Sequence, residues 1–158
     1  MTDVAPIPPI TGSVSLAVPV ERAFAVFTGS IDSWWPHQFH IGAVDVAEVV
    51  LEPRVGGRWY ERGVDGSECD WGRVLVWEPP HRLVFTWQIN GSWRFDPDPA
   101  HASEIEAVFR PDGAGSVVEV EHRLFERLDG GQAINDAING GGGWALLLDG
   151  FATTAADR

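Results

Sequence analysis

The sequence predicts a single α+β domain in which a curved antiparallel sheet covers a C-terminal helix. Three observations predict it: seven segments rich in β-branched and aromatic residues, short turn-like separators between most of them, and one apolar helical stripe near the C-terminus. A chain of 158 residues fits one domain, residues 1–158, with a single core. Because a curved sheet closed over one helix encloses space, a cavity between them is expected.

One strand and two short helices precede the bulk of the sheet. Residues 12–18 alternate apolar and small side chains, the period-2 pattern of a half-buried strand. Pro19 suits the first position of a helix, whose apolar positions recur at helical spacing as far as Phe27. Residues 31–35 form a second, very short helix that Pro36 ends.

Six further strands and a terminal helix follow. The strands are predicted at residues 44–52, 57–63, 67–78, 82–89, 103–110 and 116–126. The separators are too short for parallel crossovers, so consecutive strands are antiparallel. Glycines make a sustained helix through residues 140–143 implausible, whereas the apolar stripe of residues 144–156 predicts the terminal helix.

Charge and composition disfavour several classes of partner and setting. The formal net charge is −12, and no basic run offsets it, so nucleic acids and anionic membranes are not expected partners. No segment approaches the roughly 18 consecutive apolar residues that span a bilayer, and the N-terminus lacks the pattern of a secretion signal. Cys69 is the only cysteine and is assigned no chemistry. A cytoplasmic location is the expectation.

Five segments in this order resemble the START-like or SRPBCC superfamily. Within it, the chain resembles the AHSA type, the homologues of the activator of the heat-shock chaperone ATPase. The resemblance covers about residues 11–156 and rests on VPVERAFAVFT followed by WW, EPRVGGRWYE, DGSECDWGRVLVWEPPHRLVFTWQI, FDPDPAHASEIEAVF and GGWALLLDGF. The resemblance implies the helix-grip fold: a seven-stranded antiparallel sheet wrapped around a long C-terminal helix, with two short helices after strand 1. It also implies a cavity, which holds apolar ligands in relatives.

Aromatic residues are the main candidates for a ligand site. Eight tryptophans are many for a small dry core, because each indole carries an N–H that needs a partner. They either pack the core or line a cavity, and for the group a lined cavity is the hypothesis. The candidate ligand-binding residues are Trp35, Phe39, Trp59, Trp71, Arg73, Trp87, His122, Trp144 and Leu148.

Two of these candidates are polar. His122 follows the inward alternation of Val118 and Val120, so it is either a buried histidine satisfied by hydrogen bonds or a polar anchor for a ligand. Arg73 shares an alternation with Trp71 and must pair if it is buried.

Metal and acid–base sites have weaker signals. His37 and His40 have HxxH spacing but no third ligand nearby, so we expect them at the cavity rim or in solvent and predict neither a metal nor a cofactor. Alternation scatters Glu61, Glu68 and Asp70 over both sheet faces, and no catalytic residue is assigned.

The leading hypothesis is a cavity that binds a small apolar or aromatic molecule without turnover. In this hypothesis Trp35, Pro36 and Phe39 cover one end of the cavity, and residues 140–143 act as a hinge for the terminal helix.

Three other readings stay open. The family resemblance implies either an interaction protein that stimulates a chaperone ATPase or an enzyme similar to the polyketide cyclases, with His122 in acid–base chemistry. A homodimer through Trp34 is the third, because one of two adjacent tryptophans on a short helix is expected to face outward.

Overall fold

A computed structural model describes residues 5–156, which form one seven-stranded antiparallel sheet and four α-helices. In chain order these are β1 (Ile10–Leu16), α1 (Val20–Gly29), α2 (Ile31–Trp34), β2 (Val46–Leu51), β3 (Arg58–Gly63), β4 (Glu68–Glu78), β5 (Arg82–Trp87), β6 (Ser103–Asp112), β7 (Gly115–Arg123), α3 (Gly131–Gly140) and α4 (Gly143–Ala156). Short 3-10 turns lie at Pro99–His101 and Phe125–Arg127. The predicted α+β class, the seven strands and the terminal helix are confirmed.

The strand order is β1-β7-β6-β5-β4-β3-β2, and every neighbouring pair is antiparallel. After β1 the chain passes through α1 and α2 to the opposite edge, then returns strand by strand until β7 pairs with β1. Helix α4 lies across β1, where Gly12 leaves room for the side chain of Leu148. The sheet therefore curls around α4, as the helix-grip fold requires.

The interior between α1, α2 and the C-terminal half of α4 is solidly packed. The ring of Phe27 lies 5.4 Å from that of Phe109 and 5.3 Å from that of Phe151, edge to face. Trp34 is also buried here, and its Nε1 donates to the carbonyl oxygen of Val26 at 3.3 Å. The expectation that Trp34 or Trp35 faces outward is wrong, and no exposed Trp34 exists to carry a dimer.

A β-bulge in β4 corrects the predicted alternation. In the pairing with β3, Trp59 lies opposite Gly72 and Tyr60 lies opposite Asp70, so Trp71 is an extra residue of β4 with no partner across from it. As a result Trp71 points inward with 1% of its surface exposed, whereas the Arg73 side chain is 38% exposed and pairs with Asp70 at 3.0 Å. The predicted inward orientation of Arg73 is wrong, because the bulge at Trp71 shifts the face of the residues that directly follow it.

Helix α3 was not predicted. Its glycine-rich sequence has low helix propensity, but Ile134 and Asn135 are buried, and the Asn135 amide donates to the carbonyl of Pro8 at 2.9 Å. The break before α4 is where the glycines predict it. Gly142 and Gly143 have φ of +104° and +63°, conformations that favour glycine.

Candidate ligand-binding cavity

A cavity of about 370 Å³ lies at the end of the interior opposite the packed phenylalanines. The loop after α2, strands β4 and β5, and the junction of α3 with α4 surround it. Its lining residues are Trp35, Gln38, Phe39, His40, Ile41, Trp71, Trp87, Ile89, Trp93, Ala137, Ile138, Gly141, Gly143, Trp144 and Leu147. Its volume falls in the range of small-molecule sites, about 300–1,000 Å³.

Four tryptophans form the inner wall, and each donates its Nε1–H to another group of the protein. The acceptors are the Phe39 carbonyl for Trp35 at 3.0 Å, the Glu61 carboxylate for Trp71 at 3.0 Å, the Ile89 carbonyl for Trp87 at 3.0 Å and the His122 imidazole for Trp144 at 3.3 Å. The four indoles therefore present ring faces and C–H edges to the cavity, with their donors already used.

The mouth of the cavity carries two exposed aromatic rings. Phe39 is 38% exposed and Trp93 is 48% exposed. Trp93 has a φ of +59°, which is uncommon for a bulky residue, in the turn after β5. Sequence reasoning found Phe39 but missed Trp93, because nothing in the local pattern places that turn over the cavity. Trp35 belongs to the buried wall, whereas Phe39 lies at the opening.

Two predicted ligand residues lie behind this wall. Trp59 is fully buried, edge to face with Trp71 at 5.1 Å and with Trp35 at 5.5 Å. Leu148 is buried against β1, while Leu147 on the same helix lines the cavity. Both support the wall and neither reaches the opening.

His122 points inward as predicted but also lies behind the wall. The indole of Trp144 can only donate a hydrogen bond, so Nδ1 of His122 is the acceptor and Nε2 carries the proton. The Nε2–H group donates to Ser103 Oγ at 3.0 Å, and the Ser103 hydroxyl donates to the Trp87 carbonyl at 2.8 Å. Complete burial lowers the pKa of His122 to about 3. His122 is thus a neutral, satisfied histidine that joins α4 to the sheet.

A buried carboxylate and a histidine meet at the other side of the cavity. Glu61 is 1% exposed, and its Oε1 accepts from the backbone N–H groups of Ile41 at 2.7 Å and Gly42 at 3.1 Å as well as from Trp71. Its Oε2 lies 3.4 Å from Nδ1 of His40, and the two atoms do not form a hydrogen bond. The pair was missed because its members are distant in sequence, although Glu61 shares strand parity with the buried Trp59.

The second histidine of the HxxH spacing lies apart from this pair. His37 Nε2 lies 2.8 Å from Asp32 Oδ1, and neither residue lines the cavity. Within residues 5–156, no cluster of three or more His, Cys, Asp or Glu side chains has metal-site geometry. In the same range, no helix is both long and apolar enough to cross a bilayer.

Comparison with known proteins identifies the family. The model of the family described as Activator of Hsp90 ATPase homolog 1-like protein matches residues 17–156. An anthrahydroquino-γ-pyrone synthase, Txn09, is 43% identical over 94% of this chain and 97% of its own, with a TM-score of 0.66. CalC of Micromonospora echinospora, a self-sacrificing resistance protein, is 30% identical over 95% of both chains, with a TM-score of 0.69.

More distant matches concern the fold alone. Protein NE0264 from Nitrosomonas europaea is 18% identical over 96% of this chain and 97% of its own, with a TM-score of 0.64. A search of curated proteins finds no significant match. From the family model and the two closer structures, the chain belongs to the family of Activator of Hsp90 ATPase homolog 1-like proteins.

Proposed function

We propose that this protein binds a planar polycyclic aromatic molecule in the tryptophan-lined cavity and closes an oxygen-containing ring on it. The observation that carries the proposal is the cavity itself, about 370 Å³ walled by four indoles whose N–H groups are all engaged. The 43% identity to an anthrahydroquino-γ-pyrone synthase supports the class of guest and of reaction.

The wall suits a flat aromatic guest for physical reasons. Indole faces stack on other aromatic rings, and removing apolar area from water stabilises the complex by about 25 cal/mol per Å². Few polar side chains reach the cavity, so recognition depends on shape and stacking, with Gln38 and His40 available to orient polar groups of the guest.

The proposed reaction is an intramolecular addition. The O–H bond of a phenol on the guest breaks, an O–C bond forms at the carbon β to a conjugated ketone, and the proton ends on the α carbon. Substrate and product are isomers, so the step uses no oxidant, reductant or leaving group. Holding the guest flat and folded in the cavity brings its oxygen and carbon together, which lowers the entropic part of the barrier.

Binding without turnover is the second candidate. The sparse polar lining of the cavity favours it, and so does the 30% identity to a resistance protein. No feature of the described residues supports a chaperone partner or a homodimer, and both remain predictions.

The test uses a hydroxyanthraquinone that carries an unsaturated ketone beside one phenol. Tryptophan fluorescence reports binding, and liquid chromatography with mass spectrometry reports an isomeric product of equal mass and new retention time. We expect saturable quenching and product formation above the background rate. Quenching without product would overturn ring closure and leave binding without turnover as the function. The absence of quenching would remove both candidates.

A further inference from the structure

We propose that His40 accepts the proton of a phenolic hydroxyl on the bound guest, with Glu61 positioning the imidazole. The inference deepens the proposed function and rests on it, because it needs a phenol bound in the same cavity. It assigns the class of guest more narrowly, as a phenol, and it assigns an acid–base role that sequence reasoning gave to neither residue.

The first support is the inventory of the cavity wall. Of the cavity-lining residues within 5–156, His40 is the only one whose side chain titrates. The four wall indoles have their N–H groups bound within the protein and cannot accept a proton. His122, the other inward-facing histidine, has both ring nitrogens engaged behind the wall. A proton leaving the guest therefore has one receptor in the lining.

The second support is the orientation of the imidazole. The His40 side chain is 24% exposed, yet its Nδ1 is buried, has no hydrogen-bond partner and faces Glu61 Oε2 at 3.4 Å. Because His40 lines the cavity and its Nδ1 is turned toward Glu61, Nε2 is the ring nitrogen assigned to the guest. When the loop that carries His40 moves slightly toward Glu61, the Nδ1–H group can donate to Oε2, and the lone pair of Nε2 is left for the guest.

The surroundings of Glu61 keep its Oε2 available for this purpose. Its Oε1 already accepts from two backbone N–H groups of the loop and from Trp71, so Oε2 is the oxygen left to face the imidazole. The neighbouring titratable group on β4 is Cys69, and burial, followed by the charges of Glu61 and Asp70, raises the pKa of its thiol. The thiol is therefore neutral at neutral pH and does not compete as a base.

The proton transfer balances within the site. The phenolic O–H bond breaks with its electron pair left on oxygen, and an N–H bond forms at Nε2 of His40. An isolated phenol loses its proton near pH 10, above the usual range of histidine, so the bound phenolate needs stabilisation. The imidazolium between phenolate and Glu61 carboxylate supplies it, since opposite charges at short range favour the ionised forms.

The experiment titrates quinizarin, a hydroxyanthraquinone whose visible absorption moves to longer wavelength when a phenol ionises. Tryptophan quenching measures binding, and the absorption of the bound dye against pH measures its ionisation. We expect the dye bound to His40→Gln to ionise about tenfold less readily than in the wild type, a shift of about one pH unit. Binding of each variant is measured at a pH where the dye is neutral, so that the titration is read only from protein that holds the dye. His37→Gln, which alters the neighbouring histidine outside the cavity, is the matched control and leaves the titration unchanged.

The outcomes separate this inference from the function on which it rests. Binding with equal dye titration in wild type and His40→Gln overturns the proton acceptor while leaving the cavity as the binding site. Absence of quenching in the wild type overturns the binding itself, and with it this inference. In Glu61→Gln, whose amide oxygen still accepts from the loop, we expect the dye to bind and its titration to shift upward less than in His40→Gln. An unshifted titration removes Glu61 from the pair.

Discussion

The two ends of the interior use aromatic residues in opposite ways. At the closed end, the phenylalanines of α1, β6 and α4 lie edge to face with ring centroids 5.1–5.4 Å apart. At the open end, four tryptophans stand around about 370 Å³ of cavity. The larger side chains border the empty region, so bulk alone does not decide whether an interior is filled.

The difference lies in the indole N–H. An indole that moved into the cavity would break its hydrogen bond, and a buried unpaired donor costs about 1–3 kcal/mol. Phenylalanine has no such anchor and settles where packing is densest. Trp59 supports this contrast, because its Nε1 has no partner and its ring is packed with no exposure behind the wall. Around the cavity, the anchored tryptophans stay at the wall and the unanchored Trp59 packs behind them. The anchored Trp34 packs against Phe27 and Phe151 at the closed end, so an anchor keeps space open only where its acceptor lies at the cavity wall.

The largest expected effect is at the closed end. Phe27→Ala removes a fully buried ring that contacts Phe109 and Phe151, and we expect a loss of about 3–5 kcal/mol in the free energy of unfolding. Urea denaturation followed by circular dichroism measures it. A loss below about 1 kcal/mol would mean that the closed end is not packed more tightly than the open end.

The second largest expected effect is a loss of stability in acid, and it comes from the buried His122. Folding lowers the pKa of His122 from its usual value near 6.5 to about 3, so the unfolded chain takes up a proton that the folded chain refuses. His122 therefore favours unfolding as pH falls below 6.5. Its effect is about 2 kcal/mol at pH 5 and grows until pH nears 3. Urea denaturation at pH 7 and pH 5 measures the slope.

His122→Gln is the control for that slope, because its amide can still accept from Trp144 and donate to Ser103 but does not titrate in this range. We expect a smaller loss of stability between pH 7 and pH 5 than in the wild type. An identical loss in both proteins would assign the acid sensitivity to other groups.

A smaller effect separates anchored from unanchored indoles. Trp71→Phe deletes the donor to Glu61, and we expect a loss of about 1–3 kcal/mol together with weaker binding of an aromatic guest. Trp59→Phe is the matched variant, since it removes an indole whose N–H is unpaired and loses packing alone. Thermal unfolding and quinizarin titration of both variants compare the two. A greater loss of guest affinity in Trp59→Phe would contradict the anchoring argument.

The smallest effect on stability is at the mouth. Phe39→Ala truncates a side chain that is 38% exposed, so the free energy of unfolding should change by about 0.5 kcal/mol or less. The same change uncovers the cavity, and stopped-flow fluorescence should show faster dissociation of the guest. An unchanged dissociation rate would mean that Phe39 does not cover the opening.

The sequence predicted the frame of the molecule better than the site. Alternation and turn residues located all seven strands, and the glycines placed the break before α4, because these signals are local. The bulge at Trp71 left no such signal, and it reversed the expected direction of Arg73. Helix α3 depends on burial of Ile134 and on the contact of Asn135 with the N-terminal segment, which overcome its weak propensity.

For the cavity, sequence reasoning recognised the kind of residue but not the depth of each one. Trp35, Phe39, Trp71, Trp87 and Trp144 do line it, whereas Trp59, His122 and Leu148 lie behind its wall. Strand parity tells which face a side chain occupies and says nothing about what stands in front of it. His40 and Glu61 meet only because a loop folds back on β3, a contact between distant segments that periodicity does not encode.

The most direct test of the open end is calorimetric titration of quinizarin into the wild type and two variants of α3. Ala137→Trp places a large ring in the cavity lining, and Ala133→Trp places the same ring one turn away, at an exposed position outside the lining. We expect one guest per chain for the wild type and for Ala133→Trp, and affinity at least tenfold weaker for Ala137→Trp at an unchanged unfolding temperature. Equal affinity in all three, or no binding by the wild type, would contradict a cavity held open for an aromatic guest.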